Sequence, residues 1–241
     1  MKNKRMLVWA MCLCAVFIAC GENEEDEDQP INQQPGIINP PPVISAGDST
    51  KNNEVSAASF TDYQMGDIIF QTTSGKFMLP IQQATGSDFT HCGLVAVGKN
   101  GNVFVIEAYD SVMRTPIDAW VKRGVNGKFA VLRLKQRNMR MSESAQVKLK
   151  HQAKTYLGLP YDSYYGWGDD KMYCSELVYK LMNAAGIVLC KQRALKDYDL
   201  SSAQVKKALQ QVYKGNVPYS EQMVAPADIM GSTELETIYS N

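Results

Sequence analysis

Cys174, His91 and Glu107 are the residues whose types and settings could together make a nucleophile. Cys174 stands in KMYCSELVYKLMNAAG, residues 171–186. There Leu177, Val178, Leu181, Met182 and Ala185 fall on one stripe of a 3.6-residue repeat, and Gly186 supplies a stop. The cysteine therefore opens a helix. Unpaired N–H groups at a helix start favour an anion, so a thiol placed there moves toward thiolate. The same groups can hold an oxyanion as a carbonyl is attacked. A thiolate also needs a base, and the base needs a group that orients it. The chain has two histidines. His151, in KLKHQAK, lies on the wet face of its helix, whereas His91 opens the apolar run HCGLVAVG and is the candidate base. Glu107 lies within VFVIEAY, where a carboxylate is costly to bury without a partner. The plain alternative is a packing cysteine and a histidine satisfied by a structural hydrogen bond.

Whether Glu107 can reach His91 depends on the turn between their strands. HCGLVAVG and NVFVIEAY flank Lys99-Asn100-Gly101, a hairpin signal. A three-residue loop with Gly101 left-handed pairs Gly98 with Asn102. Gly93 then faces Glu107, which shares the face of His91 as a diagonal neighbour. A two-residue Asn100-Gly101 loop would turn Glu107 to the opposite face and bring Asp110 level with His91. Cys92, adjacent to His91 on a strand, points away from it. This pair therefore does not chelate one metal, and no second ligand cluster exists. No metal or cofactor is expected.

The elements around these residues read as strands first and helices later, which is α+β. GDIIFQ (66–71) and KFAVLRLK (128–135) are strands. SGKFMLPIQQATGS reads as a helix interrupted by Pro80. TPIDAWVKRG reads as a short helix with Thr115 as its cap and Pro116 at its first position. SESAQVKLKHQAKTYLG is an amphipathic helix capped by Ser142 and stopped by Gly158. LPYDSYYGWGDDKMY is a Tyr-rich loop into the Cys174 helix, SSAQVKKALQQVYKG a last amphipathic helix, and the C-terminus a strand or extended segment.

The ends of the chain indicate place. Lys2, Lys4 and Arg5 precede an apolar run of 14 residues, Met6 to Ala19, which is short for a membrane span. It ends in VFIAC, which resembles a bacterial lipoprotein signal (residues 1–19) cut before a lipidated Cys20. Six carboxylates lie between Glu22 and Asp28, and a Pro/Asn/Gln-rich stretch follows. Residues 20–58 thus read as the lipidated cysteine and a solvated tether, leaving 59–241 as one catalytic domain. The acidic run also resembles surface-export signals, so the domain is expected on the outer membrane, facing the periplasm or the cell surface. The chain carries 25 basic and 25 acidic residues, with no basic patch for nucleic acid. Of its six cysteines only Cys92, Cys174 and Cys190 belong to the domain; a Cys92–Cys190 bridge would leave one thiol free. Oligomeric state is left open.

GDIIF, HCGLVAVG and VFVIEA resemble the Gly-Asp and histidine strands of NlpC-type papain-like peptidases. In those the cysteine usually comes first; here YCSELVY comes last. That order resembles the circularly permuted YiiX/YaeF-type papain-like amidases, over about Gly66 to Gly186. The resemblance implies a permuted papain-like core, an antiparallel sheet or small barrel packed on helices. It assigns Cys174 as nucleophile, His91 as base and Glu107 as orienting acid, and it places Asp67 and Tyr173 at the substrate pocket. The implied reaction is amide hydrolysis through a Cys174 thioester, on peptidoglycan peptides or small acyl-amines. Acyl transfer or hydrolysis on a lipid-like substrate is the alternative within the fold, and a non-catalytic binding lipoprotein is the alternative outside it.

Overall fold

The computed structural model describes residues 60–135 and 141–241. The expected leader, Cys20 and the whole tether lie outside the described residues. In chain order the elements are β1 (Ile68–Thr73), α1 (Met78–Thr85), β2 (His91–Val97), β3 (Val103–Ala108), β4 (Val112–Pro116), α2 (Ile117–Arg123) and β5 (Gly124–Leu134). Then follow α3 (Glu143–Tyr156), α4 (Cys174–Ala184), β6 (Arg193–Ala194), α5 (Ala203–Tyr213), β7 (Gln222–Met223), α6 (Pro226–Met230) and β8 (Leu235–Ser240). Six strands form one antiparallel sheet in the order β4-β3-β2-β1-β5-β8. The sheet is open, with β4 and β8 as its edges; of the two forms anticipated, it is a sheet rather than a barrel.

Both faces of this sheet are covered, which is why β1 and β2 read as continuous apolar runs instead of alternating ones. On one face Ile68, Phe70, Cys92, Leu94 and Ile106 pack with Leu149 of α3 and Leu177, Val178 and Leu181 of α4. On the other, Ile69, Val95, Val105, Phe129 and Val131 pack with Trp120 and Val121 of α2. The stripe read from the Cys174 helix is thus its buried face. Among the described residues no helix is long and apolar enough to cross a membrane.

The β2–β3 turn takes the three-residue form. The Gly98 N–H donates to the Asn102 carbonyl at 2.8 Å, and Gly101 is left-handed at φ 82°. Leu94 pairs with Ile106 and Val97 with Val103, so Glu107 shares the face of His91. Gly93 faces Glu107 from β2, and no larger residue fits there: a Cβ would lie 2.3 Å from Val105 Cγ1.

Two local expectations are corrected. Pro80 does not interrupt α1; it lies in the first turn, where a missing N–H costs no helical bond. Thr115 does not cap α2. It is the penultimate residue of β4, Pro116 is the N-cap residue, and the Thr115 hydroxyl is bonded elsewhere.

Candidate active site

Cys174 is the first residue of α4, 5% exposed, with the extended Tyr173 before it. The helix start is fixed from two sides. The Glu176 carboxylate accepts the Tyr173 N–H at 3.3 Å and lies 2.9 Å from the Lys180 ammonium one turn on. Two side chains clamp it to one backbone unit: the Ser175 hydroxyl donates to the Val224 carbonyl at 2.7 Å, and the Val224 N–H donates to the Tyr173 hydroxyl at 3.2 Å. Burial raises Glu176 to about 7, against the pull of Lys180.

His91 begins β2, buried, with its ring stacked on Trp120 at 6.0 Å between centroids. Its Nε2 lies 2.6 Å from Glu107 Oε2. The ring also feels the Cys174 charge, and with Nε2 occupied by Glu107, Nδ1 is the nitrogen left for the thiol. Burial works against the imidazolium, but the Cys174 thiolate and the Glu107 carboxylate outweigh it and lift His91 to about 9. The reciprocal effect acts on Cys174. The neighbouring Cys92 and then the His91 charge hold the thiol well below its ordinary value despite burial. Cys92 moves the other way, pushed up by burial and by the neighbouring thiolate. Cys190 is raised to about 11, chiefly by burial. All three cysteines are free, so no Cys92–Cys190 bridge is formed.

Glu107 is wholly buried yet surrounded by donors. Besides His91 it accepts from the Thr115 hydroxyl at 2.5 Å, from Trp120 Nε1 at 3.0 Å and from the Arg123 guanidinium. Burial alone would favour the neutral acid; the His91 and Arg123 bonds reverse that and hold it at about 2. A buried carboxylate with four partners is a fixed anion. It keeps the imidazole in one orientation and stabilises its charged form.

The structure therefore brings Cys174, His91 and Glu107 together in series. Asp67 is not brought to them. Its carboxylate forms a two-point pair with Arg133 at 2.7 and 2.9 Å and accepts the Gln64 N–H at 2.8 Å, so it anchors the start of β1 to β5. The expectation of Asp67 at the substrate pocket is corrected accordingly. Tyr173 does line the cavity beside Cys174, though its hydroxyl is engaged by Val224. His151 is exposed on α3, away from the site. Sequence reasoning missed Thr115, Trp120 and Arg123 around Glu107. It also missed Tyr161 and Tyr165, which meet edge to face at 6.4 Å between ring centroids, line the cavity beside Cys174 and both feel its charge.

An antiparallel sheet that carries the histidine, followed in the chain by a helix that opens on the cysteine, defines a permuted papain-like cysteine hydrolase. The chain belongs to the permuted papain-like amidase enzymes of the YaeF/YiiX, C92 family, whose model matches residues 62–239. It is similar to YiiX of Escherichia coli (strain K12), with 39% identity over 176 residues, 73% of this chain and 85% of that protein. It also matches the solved structure of the metalloprotein yiiX from Escherichia coli O157:H7, with a TM-score of 0.70 and 38% identity, covering 74% of this chain and 97% of that one. The described residues here do not fit a metal: no group of three or more His, Cys, Asp or Glu side chains is placed to hold one.

Proposed function

We propose that this chain is a lipid-anchored cysteine amidase in which Cys174, His91 and Glu107 act as nucleophile, base and orienting acid. The observation that carries the reading is the His91 ring, held by Glu107 on one nitrogen and coupled electrostatically to the Cys174 thiol at a helix start. The thiolate attacks the amide carbonyl carbon, and the N–H groups at the start of α4 stabilise the oxyanion. The C–N bond then breaks as the His91 imidazolium gives its proton to the leaving amine. Neutral His91 next takes a proton from water; the hydroxide adds to the thioester, and the carboxylic acid leaves as Cys174 is restored. Glu107 stays ionised throughout and only holds the ring. The substrate amide belongs to a peptidoglycan peptide or to a small acyl-amine, met in the cell envelope by a domain tethered through Cys20.

The test is a covalent one. Iodoacetamide near pH 6 should label Cys174 well ahead of Cys92 and Cys190, read by peptide mass spectrometry, and His91→Ala should slow that labelling. Equal labelling of all three, unaffected by His91→Ala, would refute the hydrolase reading. For the anchor, Cys20→Ala should release the protein from the membrane fraction or block its processing; retention like the parent chain removes the lipid from the proposal.

A further inference from the structure

Cys92 is a buried thiol that the proposed reaction does not use, and it stands beside the thiol that reacts. Cys174 and Cys92 belong to one core cluster, 5% and 0% exposed, and both are free. α4 packs on β2. Side chains alternate along a strand. His91 therefore turns to the Trp120 face, while Cys92 turns to the face that α4 covers. Cys174 is the first residue of that helix, and its charge acts on His91 and Cys92 alike. A cysteine that only fills a core meets aliphatic neighbours; this one also meets a second thiol.

The two thiols differ in access and in reactivity. Cys174 lies on the wall of a cavity of about 150 Å³ between α1 and α5, and Cys92 does not. A small hydroperoxide entering the cavity thus meets the Cys174 sulfur first. Thiolate character and access are what make a cysteine oxidisable, and Cys174 has both. Cys92 has neither while Cys174 is charged, because burial and the neighbouring thiolate push its thiol up. Oxidation of Cys174 to a neutral species removes one of those two causes.

We infer that Cys174 and Cys92 form an oxidative modification site, in which a hydroperoxide oxidises Cys174 and Cys92 resolves it as a Cys92–Cys174 disulfide. The Cys174 thiolate attacks the distal peroxide oxygen and the O–O bond breaks. Cys174 becomes a sulfenic acid, the peroxide is reduced by two electrons, and the His91 imidazolium supplies the proton that completes the alcohol or water released. The Cys92 sulfur then attacks the Cys174 sulfur. The S–S bond forms, the S–OH bond breaks, and the departing hydroxide takes the Cys92 proton and leaves as water. A dithiol reductant reverses the bridge by exchange. The bridge also stops oxidation before sulfinic acid, which thiol reductants do not reverse. The inference needs a reactive Cys174 thiolate but no hydrolysis, so it goes beyond the amidase reading.

The experiment treats the full chain with a small excess of hydrogen peroxide, digests it without reduction and maps the peptides by mass spectrometry. Trypsin cuts after Lys76, Lys99, Lys171, Lys180 and Lys191, which puts Cys92, Cys174 and Cys190 on separate peptides. The expected product is the Cys92 peptide joined to the Cys174 peptide. Iodoacetamide labelling of Cys174 should fall by roughly tenfold or more and return with dithiothreitol. In Cys92→Ser the same treatment should leave a Cys174 sulfenic acid that dimedone traps, and then a sulfinic acid that dithiothreitol does not restore. Should that variant not fold, the parent chain decides alone: dimedone added with the peroxide should capture little of Cys174, because Cys92 closes first. A Cys174 peptide joined to the Cys190 peptide, or Cys174 carried to sulfinic acid in the parent chain, overturns the inference. Fast iodoacetamide labelling of Cys174 with no disulfide removes the modification site and leaves the hydrolase reading standing. Slow labelling with no oxidation removes both.

Discussion

Cys174 has two unlike sides. On one, Glu107 gathers His91, Thr115, Trp120 and Arg123, and every polar atom of the carboxylate is engaged. On the other, α1 and α5 enclose a space with no ionisable acid or base on its wall apart from thiol and phenol groups. The first side is built for fixed charge. Its donors come from β2, β4 and α2, elements locked by sheet pairing and by the Trp120 core, so little reorganises as charge moves. The second side is built from apolar surface that recognises volume and not direction.

The largest effect should come from removing the sulfur. Cys174→Ala should abolish turnover while the fold persists, because the side chain is small and its helix start is held independently by Ser175 and Tyr173. Retained turnover in that variant would mean that the polar side serves some other group. Next in size, Glu107→Gln should keep the fold and cost roughly 10²–10⁴-fold in rate by misorienting His91. It should also change the pH profile. His91 is raised to about 9, so its imidazolium, the proposed proton donor to the leaving amine, is present below that pH and lost as pH rises through it. Activity of the parent chain should therefore fall above about pH 9. In Glu107→Gln the falling limb should move to lower pH, since one of the charges that lifts His91 is gone. An unmoved limb would separate Glu107 from His91 function. The stability sign is opposite. Glu107 is depressed to about 2, so its contribution is full above its ordinary value and is lost as pH falls toward about 2. Glu107→Gln should lack that component of acid sensitivity in a melt at pH 3 against pH 6.

How much of this was legible differs between the two sides for a physical reason. Cys174 and His91 were marked by position at the start of an element, and Glu107 by a charge in an apolar run whose register one turn decides. Those are local signals. Thr115, Trp120 and Arg123 are partners across space. Thr115 stands before a proline, where capping is the usual reading, and nothing local announces that its hydroxyl faces a carboxylate on β3. β4 itself, only five residues long with exposed Met113 and Arg114, lacked an apolar pattern. Asp67 was assigned to the pocket by resemblance alone, and nothing local pointed to its partner Arg133, 66 residues away. The cavity was invisible for the same reason. The amphipathic pattern of α5 indicated an apolar face, but not that α1, more than a hundred residues earlier, stands across a gap from it.

The clamp at the α4 start should matter less than Glu107 and should act on both sides at once. Ser175→Ala removes the donor to the Val224 carbonyl and leaves that buried carbonyl short of a partner, at about 1–3 kcal/mol. Thermal melts should show the loss. A melt unchanged from the parent would show that the segment around Val224 is held by other contacts.

The smallest expected effect is at Thr115, and it tests how redundant the polar side is. Thr115→Val keeps the β-branched shape that suits β4 and removes only the hydroxyl that reaches Glu107 Oε1. Hydrogen bonds to charged groups contribute roughly 1.5–3 kcal/mol, so the folded state should lose up to about that much. Three donors remain on Oε2, including His91 and Arg123, so the carboxylate should stay ionised and His91 should stay oriented. The rate should accordingly drop far less than in Glu107→Gln, and the falling limb near pH 9 should hardly move. Measured together, Tm and the pH profile separate the two roles of Thr115. A large stability loss with an unmoved limb makes it a support of the buried anion. A limb displaced as far as in Glu107→Gln would mean that Oε1, and not the Oε2 cluster, fixes the carboxylate for His91, and the division between the two sides of Cys174 would have to be drawn through Glu107 itself.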